Sequence, residues 1–258
     1  MEQGSLSARE LRRYAKQIML DEIGVAGQEK LKRAGVLVIG AGGLGCSVLQ
    51  YLTVAGTGRI GIAEFDMVDE SNLQRQVLYG SGDLGKLKSV IAKNRLENLN
   101  SFVEFEIFNL KINGSNAIKI LEKWDVIVDA TDNLASRYII NDSCVILNRP
   151  MVHGSIYKYE GMVSVFNFNG GATYRCFNPL TEGMDFKNPA PSHAGLFGVL
   201  PGLTGTLMAN EVIKIVTGSG EVLSGKILLF NILHNKFRTI GVENISENHN
   251  ITELTDGL

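Results

Sequence analysis

The stretch that decides the fold is VLVIGAGGLG, Val36 to Gly45. Its apolar first half predicts a buried strand, and Gly40, Gly42 and Gly45 then follow at GxGxxG spacing, which is typical of a turn from a strand into a helix. Because Gly42 lacks a side chain, phosphate oxygens can approach the backbone, and a helix that begins at Gly43 points free N–H groups at them. The stretch predicts a nucleotide site; the alternative is a tight turn that binds nothing.

Two acidic residues lie at the end of the next apolar run. Glu64 and Asp66 lie about 20 residues beyond the glycine turn, as expected for a mononucleotide-binding half. The intervening residues 44–55 predict a crossover helix that ends at Gly56, and residues 59–65 predict the second strand. This flanking pattern favours binding over an empty turn, but it leaves the nucleotide unidentified.

Helical and apolar segments alternate through the rest of the chain, which predicts an α/β fold: a Rossmann-like, mostly parallel sheet with helices on both faces, extended by C-terminal antiparallel strands. Ser7 and Glu10 stand at capping-box spacing and predict a first helix that runs to Gly24. The other predicted helices are 25–35, 84–99, 115–123, 133–147 and 203–217. The other predicted strands are 103–108, 125–130, 151–157, 161–168, 226–233 and 236–242, the last two forming a hairpin around His234 and Asn235.

Length and composition limit the class of protein. The 258 residues predict one domain, 1–258, with an N-terminal helical arm (1–30), a crossover loop (169–202) and a polar tail (243–258). The net charge of −2 argues against nucleic-acid and membrane partners. Three scattered cysteines and an N-terminus without an apolar signal core predict a cytoplasmic protein.

The polar segment after the second strand contains SNLQRQ and then Lys88. It follows a core strand without a simple crossover, as an active-site segment does. Arg75 can grip a phosphate through its planar fork, and Lys88 supplies a point charge. Ser71 and Asn72 add a hydroxyl and an amide beside them. The alternative is that Arg75 and Lys88 are solvated surface charges.

The strand DVIVDA ends in Thr131, Asp132 and Asn133. A carboxylate at the carboxyl end of a parallel strand is where a magnesium ion that accompanies phosphates is held. Asp132 is also suited to capping the helix that follows, and both roles remain open.

Taken together, RYAKQIMLDEIGVAGQEKLKRAGVLVIGAGGLG, SNLQRQ, GKLKS, DATDN, YRC and GVLPGLTGTLMANEVIKIVTG resemble the bacterial ThiF/MoeB/HesA family, which is related to the adenylation domain of ubiquitin-activating enzymes. The resemblance covers roughly residues 8 to 240. It implies an adenylyltransferase that uses ATP and Mg²⁺ to adenylate the C-terminal glycine of a small ubiquitin-like sulfur carrier with a Gly-Gly C-terminus. Thiamine (ThiS-like) and molybdopterin (MoaD-like) biosynthesis are the pathways it suggests.

The resemblance also implies residue roles. Gly40, Gly42, Gly43 and Gly45 would line the ATP phosphates, and Glu64 stands where the family has an aspartate for the ribose hydroxyls. Asn72, Arg75 and Lys88 would contact the phosphates, and Asp132 would hold Mg²⁺. We expect Asp66, Ser71 and Asn133 to complete the nucleotide site. Lys16 replaces a first-helix arginine that reaches the other subunit's phosphates in family homodimers. A solvated face is the alternative for Lys16 and its neighbours Arg12 and Arg13.

Two departures from the family pattern concern cysteines. Relatives bind a structural zinc with two CxxC pairs, but this chain retains only Cys176 of those ligands, so we predict no zinc. The sequence PSHAG, with His193, replaces the cysteine that some members carry before GVLPG, so we expect adenylation without a covalent thioester. We expect Cys46, Cys144 and Cys176 to pack as small hydrophobic side chains.

Three functions compete at this stage. An NAD-dependent oxidoreductase explains the glycine turn and Glu64, but it gives no reason for Arg75, Lys88 and Asp132 together. A non-catalytic, partner-binding member of the family is compatible with the missing cysteines, but the retained charges argue against it. Adenylation of a carrier protein accounts for the glycine turn and Glu64 as well as for Arg75, Lys88 and Asp132. The reaction needs positioning and positive charge, which the predicted cations and metal supply, and it needs no Ser/His/Asp or Cys/His constellation.

Overall fold

A computed structural model describes residues 5–181 and 195–254. The strands in these residues are β1 (Gly35–Ile39), β2 (Arg59–Ala63), β3 (Glu104–Phe108), β4 (Val126–Asp129), β5 (Met151–Tyr157), β6 (Glu160–Phe166), β7 (Lys226–Asn231) and β8 (Lys236–Gly241). The helices are α1 (Ala8–Arg13), α2 (Ala15–Ile18), α3 (Gly24–Arg33), α4 (Gly43–Ala55), α5 (Lys88–Leu99), α6 (Ala117–Leu121), α7 (Leu134–Ile146), α8 (Tyr174–Phe177) and α9 (Val199–Thr217).

The eight strands form one sheet in the order β3-β2-β1-β4-β5-β6-β7-β8. The pairs from β3 to β5 are parallel, and those from β5 to β8 are antiparallel. The predicted fold class is therefore confirmed. The strand order reverses direction between β1 and β4, and in open α/β sheets that point is where ligands bind.

The sheet separates two hydrophobic cores, because alternate side chains of β1 point to opposite faces. Val36 and Val38 pack with α4, α5 and α9 on one face, whereas Leu37 and Ile39 pack with α6, α7 and α8 on the other. All five residues of β1 are buried, which explains why this strand is a continuous apolar run.

The prediction of one first helix that runs to Gly24 is wrong. The capping box of Ser7 and Glu10 does begin α1, but the chain leaves helical geometry at Tyr14, and α2 ends at Ile18. The Tyr14 ring is buried, and its hydroxyl accepts a hydrogen bond of 2.9 Å from the Asn100 amide. This tertiary contact overrides the local helical preference.

Two helix starts also differ from prediction. The helix placed at residues 84–99 begins only at Lys88, because Gly85 adopts a left-handed φ of +74° and Leu87 forms a bridge with Met67. The last helix begins at Val199 instead of Leu203. Pro201 is tolerated there because first-turn N–H groups have no partner within the helix.

The predicted crossover loop (169–202) contains α8 and the first turn of α9, and residues 182–194, including His193, lie outside the described residues. In the polar tail, Leu254 packs against the second core. Among the described helices, α9 is long and apolar enough to cross a membrane, but it packs against α4, β5 and β6 as a core helix does.

Candidate active site

A cavity of about 860 Å³ opens at the carboxyl ends of the parallel strands, beside the reversal of strand order between β1 and β4. The predicted site residues on its wall are Gly40, Gly42, Gly43, Glu64, Asp66, Arg75, Lys88, Asp132 and Asn133. Distant parts of the sequence therefore meet at one place. The size is within the range of ordinary small-molecule sites.

The glycine turn, Gly40 to Gly45, is held by close approach of its own backbone. Gly40 has φ +94°, and a Cβ there would lie 2.7 Å from the carbonyl oxygen of Ala130. A Cβ on Gly45 would lie 2.0 Å from the carbonyl oxygen of Gly40, so Gly45 packs inside the turn and is not among the cavity-lining residues. Gly42 differs, because the nearest atom to a Cβ there is the Gln76 amide nitrogen at 3.7 Å.

The carboxylate of Glu64 ties the glycine turn to the end of β2. It is buried and accepts hydrogen bonds from the N–H groups of Ala41 (2.9 Å), Phe65 (2.8 Å) and Asp66 (2.9 Å). A carboxylate has about four acceptor positions, so roughly one remains for another donor. The structure thus gives Glu64 a role in shaping the turn, and its contact with a ribose remains a prediction.

Lys88 brings a buried positive charge to the cavity wall. The residue is 4% exposed, and its one ion pair within the described residues joins its Nζ to Asp66 Oδ2 at 3.3 Å. Asp66 is largely solvated, with a side chain that is 53% exposed. Because this ion pair is long and its partner is solvated, it offsets only part of the free-energy cost of burying the Lys88 charge. An anionic ligand in the cavity would offset more of that cost.

Arg75 lies on the cavity wall and is held by the segment before it. Its Nη1 donates to the carbonyl oxygen of Ser71 at 2.9 Å, and Asp69 Oδ1 accepts from the Ser71 N–H at 2.9 Å. Ser71 and Asn72 are not among the cavity-lining residues. In this structure they support Arg75, and direct contact with a nucleotide remains a prediction for both.

The loop after β4 places Asp132 at the cavity. Asp129 Oδ1 accepts from the N–H (3.0 Å) and the hydroxyl (2.6 Å) of Thr131, and Asn133 Oδ1 accepts from the Ser136 N–H at 2.9 Å. The residue that caps α7 is therefore Asn133, and the suggestion that Asp132 does so is wrong. Asp132 is exposed, which leaves its carboxylate available for a cation.

A buried His153–Asp129 pair supports that loop from behind, and sequence reasoning missed it. The two residues are at most 1% exposed, and His153 Nδ1 lies 2.7 Å from Asp129 Oδ2. Burial lowers the pKa of His153, outweighing the attraction of the carboxylate. Burial alone raises the pKa of Asp129, but hydrogen bonds from His153 and Thr131 and the charge of Arg137 bring it below its usual value. The favoured state is a neutral imidazole that donates to an ionised carboxylate.

Arg137 also escaped sequence reasoning. It lies on the cavity wall and donates from Nη2 to the carbonyl oxygen of Thr131 at 3.2 Å. No motif marks it, since an arginine at the start of a helix is common.

Lys16 is exposed on α2 and is not among the residues that line the cavity. Its predicted contribution requires a second subunit and remains a prediction.

The cysteines divide into two kinds. Cys46 and Cys144 are buried as expected, and burial raises the pKa of Cys46 to about 12. The expectation of a packed hydrophobic side chain is wrong for Cys176. That residue is half-buried, and its sulfur accepts from the N–H groups of Thr173 and Ile245, each at 3.4 Å. Burial opposes ionisation of this thiol, but the hydrogen bonds outweigh it and lower the pKa of Cys176.

Comparison with known proteins identifies the family. The model of the ThiF family matches residues 14–251 of this chain. The chain belongs to the ThiF family. The expected resemblance is therefore confirmed, and it covers the whole cavity described above.

Individual relatives of this ThiF-family chain carry informative names. The sulfur carrier protein adenylyltransferase of Thermus thermophilus is 45% identical over 244 residues, spanning 90% of this chain and 88% of that protein. The protein named "Probable molybdopterin-synthase adenylyltransferase" of Porphyra purpurea is 46% identical over 237 residues, 91% of this chain and 62% of that one. The adenylyltransferase and sulfurtransferase MOCS3 of Aedes aegypti is 43% identical over 265 aligned positions, 97% of this chain and 59% of that one. The chain thus spans about three fifths of the last two.

Among solved structures, the crystal structure of E. coli MccB with ATP matches 95% of this chain and 75% of its own, with a TM-score of 0.80 and 24% identity. At that identity the likeness concerns the fold alone.

Proposed function

We propose that this ThiF-family chain is an adenylyltransferase that uses ATP to adenylate the C-terminal glycine of a small ubiquitin-like sulfur-carrier protein. The observation that carries the proposal is the cavity at the strand reversal, where the glycine turn, Arg75, Lys88 and Asp132 meet. The names of the Thermus and Porphyra relatives, which are about 45% identical to this chain over the aligned residues, favour the same chemistry.

The reaction asks for positioning and positive charge. A C-terminal carboxylate is ionised at neutral pH, so it attacks the α-phosphorus without a general base. A bond forms between a carboxylate oxygen and the α-phosphorus, while the bond from that phosphorus to the bridging oxygen breaks and pyrophosphate leaves with the electron pair. Arg75, Lys88 and the N–H groups of the glycine turn would stabilise the charge that accumulates on the phosphate oxygens.

The residues present fit a magnesium ion that arrives with the nucleotide. Within residues 5–181 and 195–254, no cluster of three or more His, Cys, Asp or Glu side chains is arranged to hold a metal ion. Mg²⁺ in nucleotide sites commonly uses only one or two carboxylates, together with phosphates and water. Asp132 would supply that carboxylate, and the bound ion would neutralise phosphate charge.

Several finer parts of the proposal rest on the sequence. The carrier is ThiS-like or MoaD-like, so thiamine and molybdopterin biosynthesis are both candidate pathways. The protein acts in the cytoplasm as a homodimer in which Lys16 reaches the partner's phosphates, it forms one domain over residues 1–258, and it needs no zinc. These points remain predictions.

An NAD-dependent oxidoreductase is disfavoured by Lys88. A buried ammonium beside the glycine turn adds little to hydride transfer, whereas it suits a triphosphate that becomes more negative at its leaving group.

The experiment that tests the proposal mixes the purified protein with ATP, Mg²⁺ and a ThiS-like or MoaD-like carrier, and analyses the carrier by mass spectrometry. We expect one carrier to gain the mass of AMP at its C-terminus, and a carrier that lacks its last glycine to remain unmodified. The proposal would be contradicted if neither the ThiS-like nor the MoaD-like carrier were modified under conditions in which a known relative modifies its own carrier.

A further inference from the structure

Gln76 is a cavity residue whose side-chain amide makes no hydrogen bond within the described part of the chain. The residue is 5% exposed, and its Oε1 is fully buried without a partner among the described residues. Its backbone, in contrast, is fixed. The Gln76 N–H donates to the carbonyl oxygen of Asn72, and its carbonyl oxygen accepts from the Tyr79 N–H, both at 3.0 Å.

The position of the amide indicates what it would meet. Gln76 lines the cavity, and its Nε2 is the atom nearest to the open side of Gly42, 3.7 Å from where a Cβ would lie. Gly42 is the N-cap of α4, whose first N–H groups are free to bind an anion. An anion seated on that helix terminus would therefore lie beside the Gln76 amide.

A purely structural role does not account for this arrangement. A buried amide without a partner is destabilising, because it loses its hydrogen bonds to water, so buried glutamines are normally hydrogen-bonded. An apolar side chain of the same length would fill the space without that cost. The Nε2 N–H groups face the cavity side of Gly42 and have no acceptor among the described residues, so they point to an acceptor that arrives with a ligand. The buried Oε1 is itself an acceptor, and a phosphate would not pair it.

Resting on the proposed function, we propose that Gln76 is a phosphate-binding residue that donates from Nε2 to a phosphate oxygen of ATP seated on the glycine turn. The neighbouring Arg75 and Lys88 supply charge. A neutral amide adds a directional hydrogen bond that fixes the phosphate orientation for in-line attack.

The test uses Gln76→Met and Gln76→Glu in the full chain, with Gln50→Met, on α4 outside the cavity-lining set, as the matched control. Calorimetry measures binding of ATP and of adenosine, which has no phosphate, and thermal unfolding measures stability. We expect Gln76→Met to weaken ATP binding about tenfold, leave adenosine binding within twofold and keep the unfolding midpoint at or above that of the wild type. Gln76→Glu should weaken ATP binding further, because it places an anion beside the phosphates.

Three results would overturn the inference. They are ATP binding by Gln76→Met within twofold of the wild type, equal losses for ATP and adenosine, and a fall in the unfolding midpoint that matches the loss of affinity. Failure of the wild-type protein to bind ATP would instead contradict the proposed function, so the two failures are distinguishable.

Discussion

The glycine turn (40–45) and the cationic segment (66–88) both line the cavity, but different interactions hold them. The turn is fixed by contacts within the chain: Gly45 packs against the Gly40 carbonyl, and the Glu64 carboxylate accepts a hydrogen bond from the Ala41 N–H. The cationic segment presents groups that the described part of the protein pairs only in part, since Lys88 has one ion pair of 3.3 Å there and the Gln76 side-chain amide has no hydrogen bond. We therefore expect the turn to contribute to both folding and ligand binding, and the cationic segment to contribute mainly to ligand binding.

The largest expected effect comes from the cations. Arg75→Ala or Lys88→Ala should slow carrier-dependent ATP–pyrophosphate exchange by about 100-fold or more, about 2.7 kcal/mol, because each removes a charge that stabilises the leaving group. The control is Lys86→Ala, since Lys86 is exposed and lies outside the cavity, and its side chain bonds only to the Gly82 carbonyl among the described residues. Exchange within tenfold of the wild type in both cavity variants would remove these residues from the mechanism.

Two glycine variants separate folding from binding within the turn. Gly45→Ala should lower the free energy of unfolding by about 1–3 kcal/mol, because its Cβ has no room beside the Gly40 carbonyl. Gly42→Ala should unfold like the wild type and lose ATP affinity, because its Cβ enters only the cavity. Urea unfolding and calorimetry measure the two quantities. Equal destabilisation by both variants would contradict the distinction.

Asp132 sharpens the comparison, because it is an exposed carboxylate on the cavity wall that follows a parallel strand. Asp132→Asn should raise the Mg²⁺ concentration needed for half-maximal exchange roughly tenfold, since the amide keeps an oxygen ligand but loses the charge. Binding of adenosine without Mg²⁺ serves as the internal control and should not change. An unaltered Mg²⁺ requirement would exclude Asp132 as the metal ligand.

The smallest effect concerns pH and the His153–Asp129 pair. Because the pKa of His153 is lowered in the folded protein, the unfolded chain binds more protons below about pH 6.5, and stability should fall as the pH drops through that window. The loss is about 1.4 kcal/mol for each unit between the unfolded and folded pKa values. The lowered pKa of Asp129 acts in the same direction at more acidic pH.

His153→Asn offers the matched variant, because it keeps a donor for Asp129 without a group that titrates. Its free energy of unfolding, measured by urea titration between pH 5 and 7, should depend less on pH than that of the wild type. An identical slope would show that the pair does not control acid stability.

Sequence patterns predicted the parts of this molecule that depend on local chemistry. Continuous apolar runs identified β1 and β4, and glycine spacing identified the turn, because both signals lie within a few neighbouring residues. The break at Tyr14 and the late start of α5 were not predictable in this way, since they depend on Asn100 and on the Met67–Leu87 bridge.

The same division applies to the candidate site. Arg75 and Lys88 were found because they follow the nucleotide-binding half in the sequence, and Asp132 was found because it lies at the carboxyl end of a parallel strand. The family resemblance then gave them roles. Gln76, Arg137 and His153 were missed, because an amide, an arginine or a histidine attracts notice only when its burial and its partners are known.

The most direct test of the account is exchange of labelled pyrophosphate into ATP with and without the carrier protein. Exchange requires that the carrier carboxylate attack the bound ATP to form the acyl adenylate, and that labelled pyrophosphate then reverse this step to give labelled ATP. We predict exchange that depends on a carrier with an intact C-terminal glycine and is slowed by about 100-fold or more by Lys88→Ala. Binding of ATP without any carrier-dependent exchange would contradict the account.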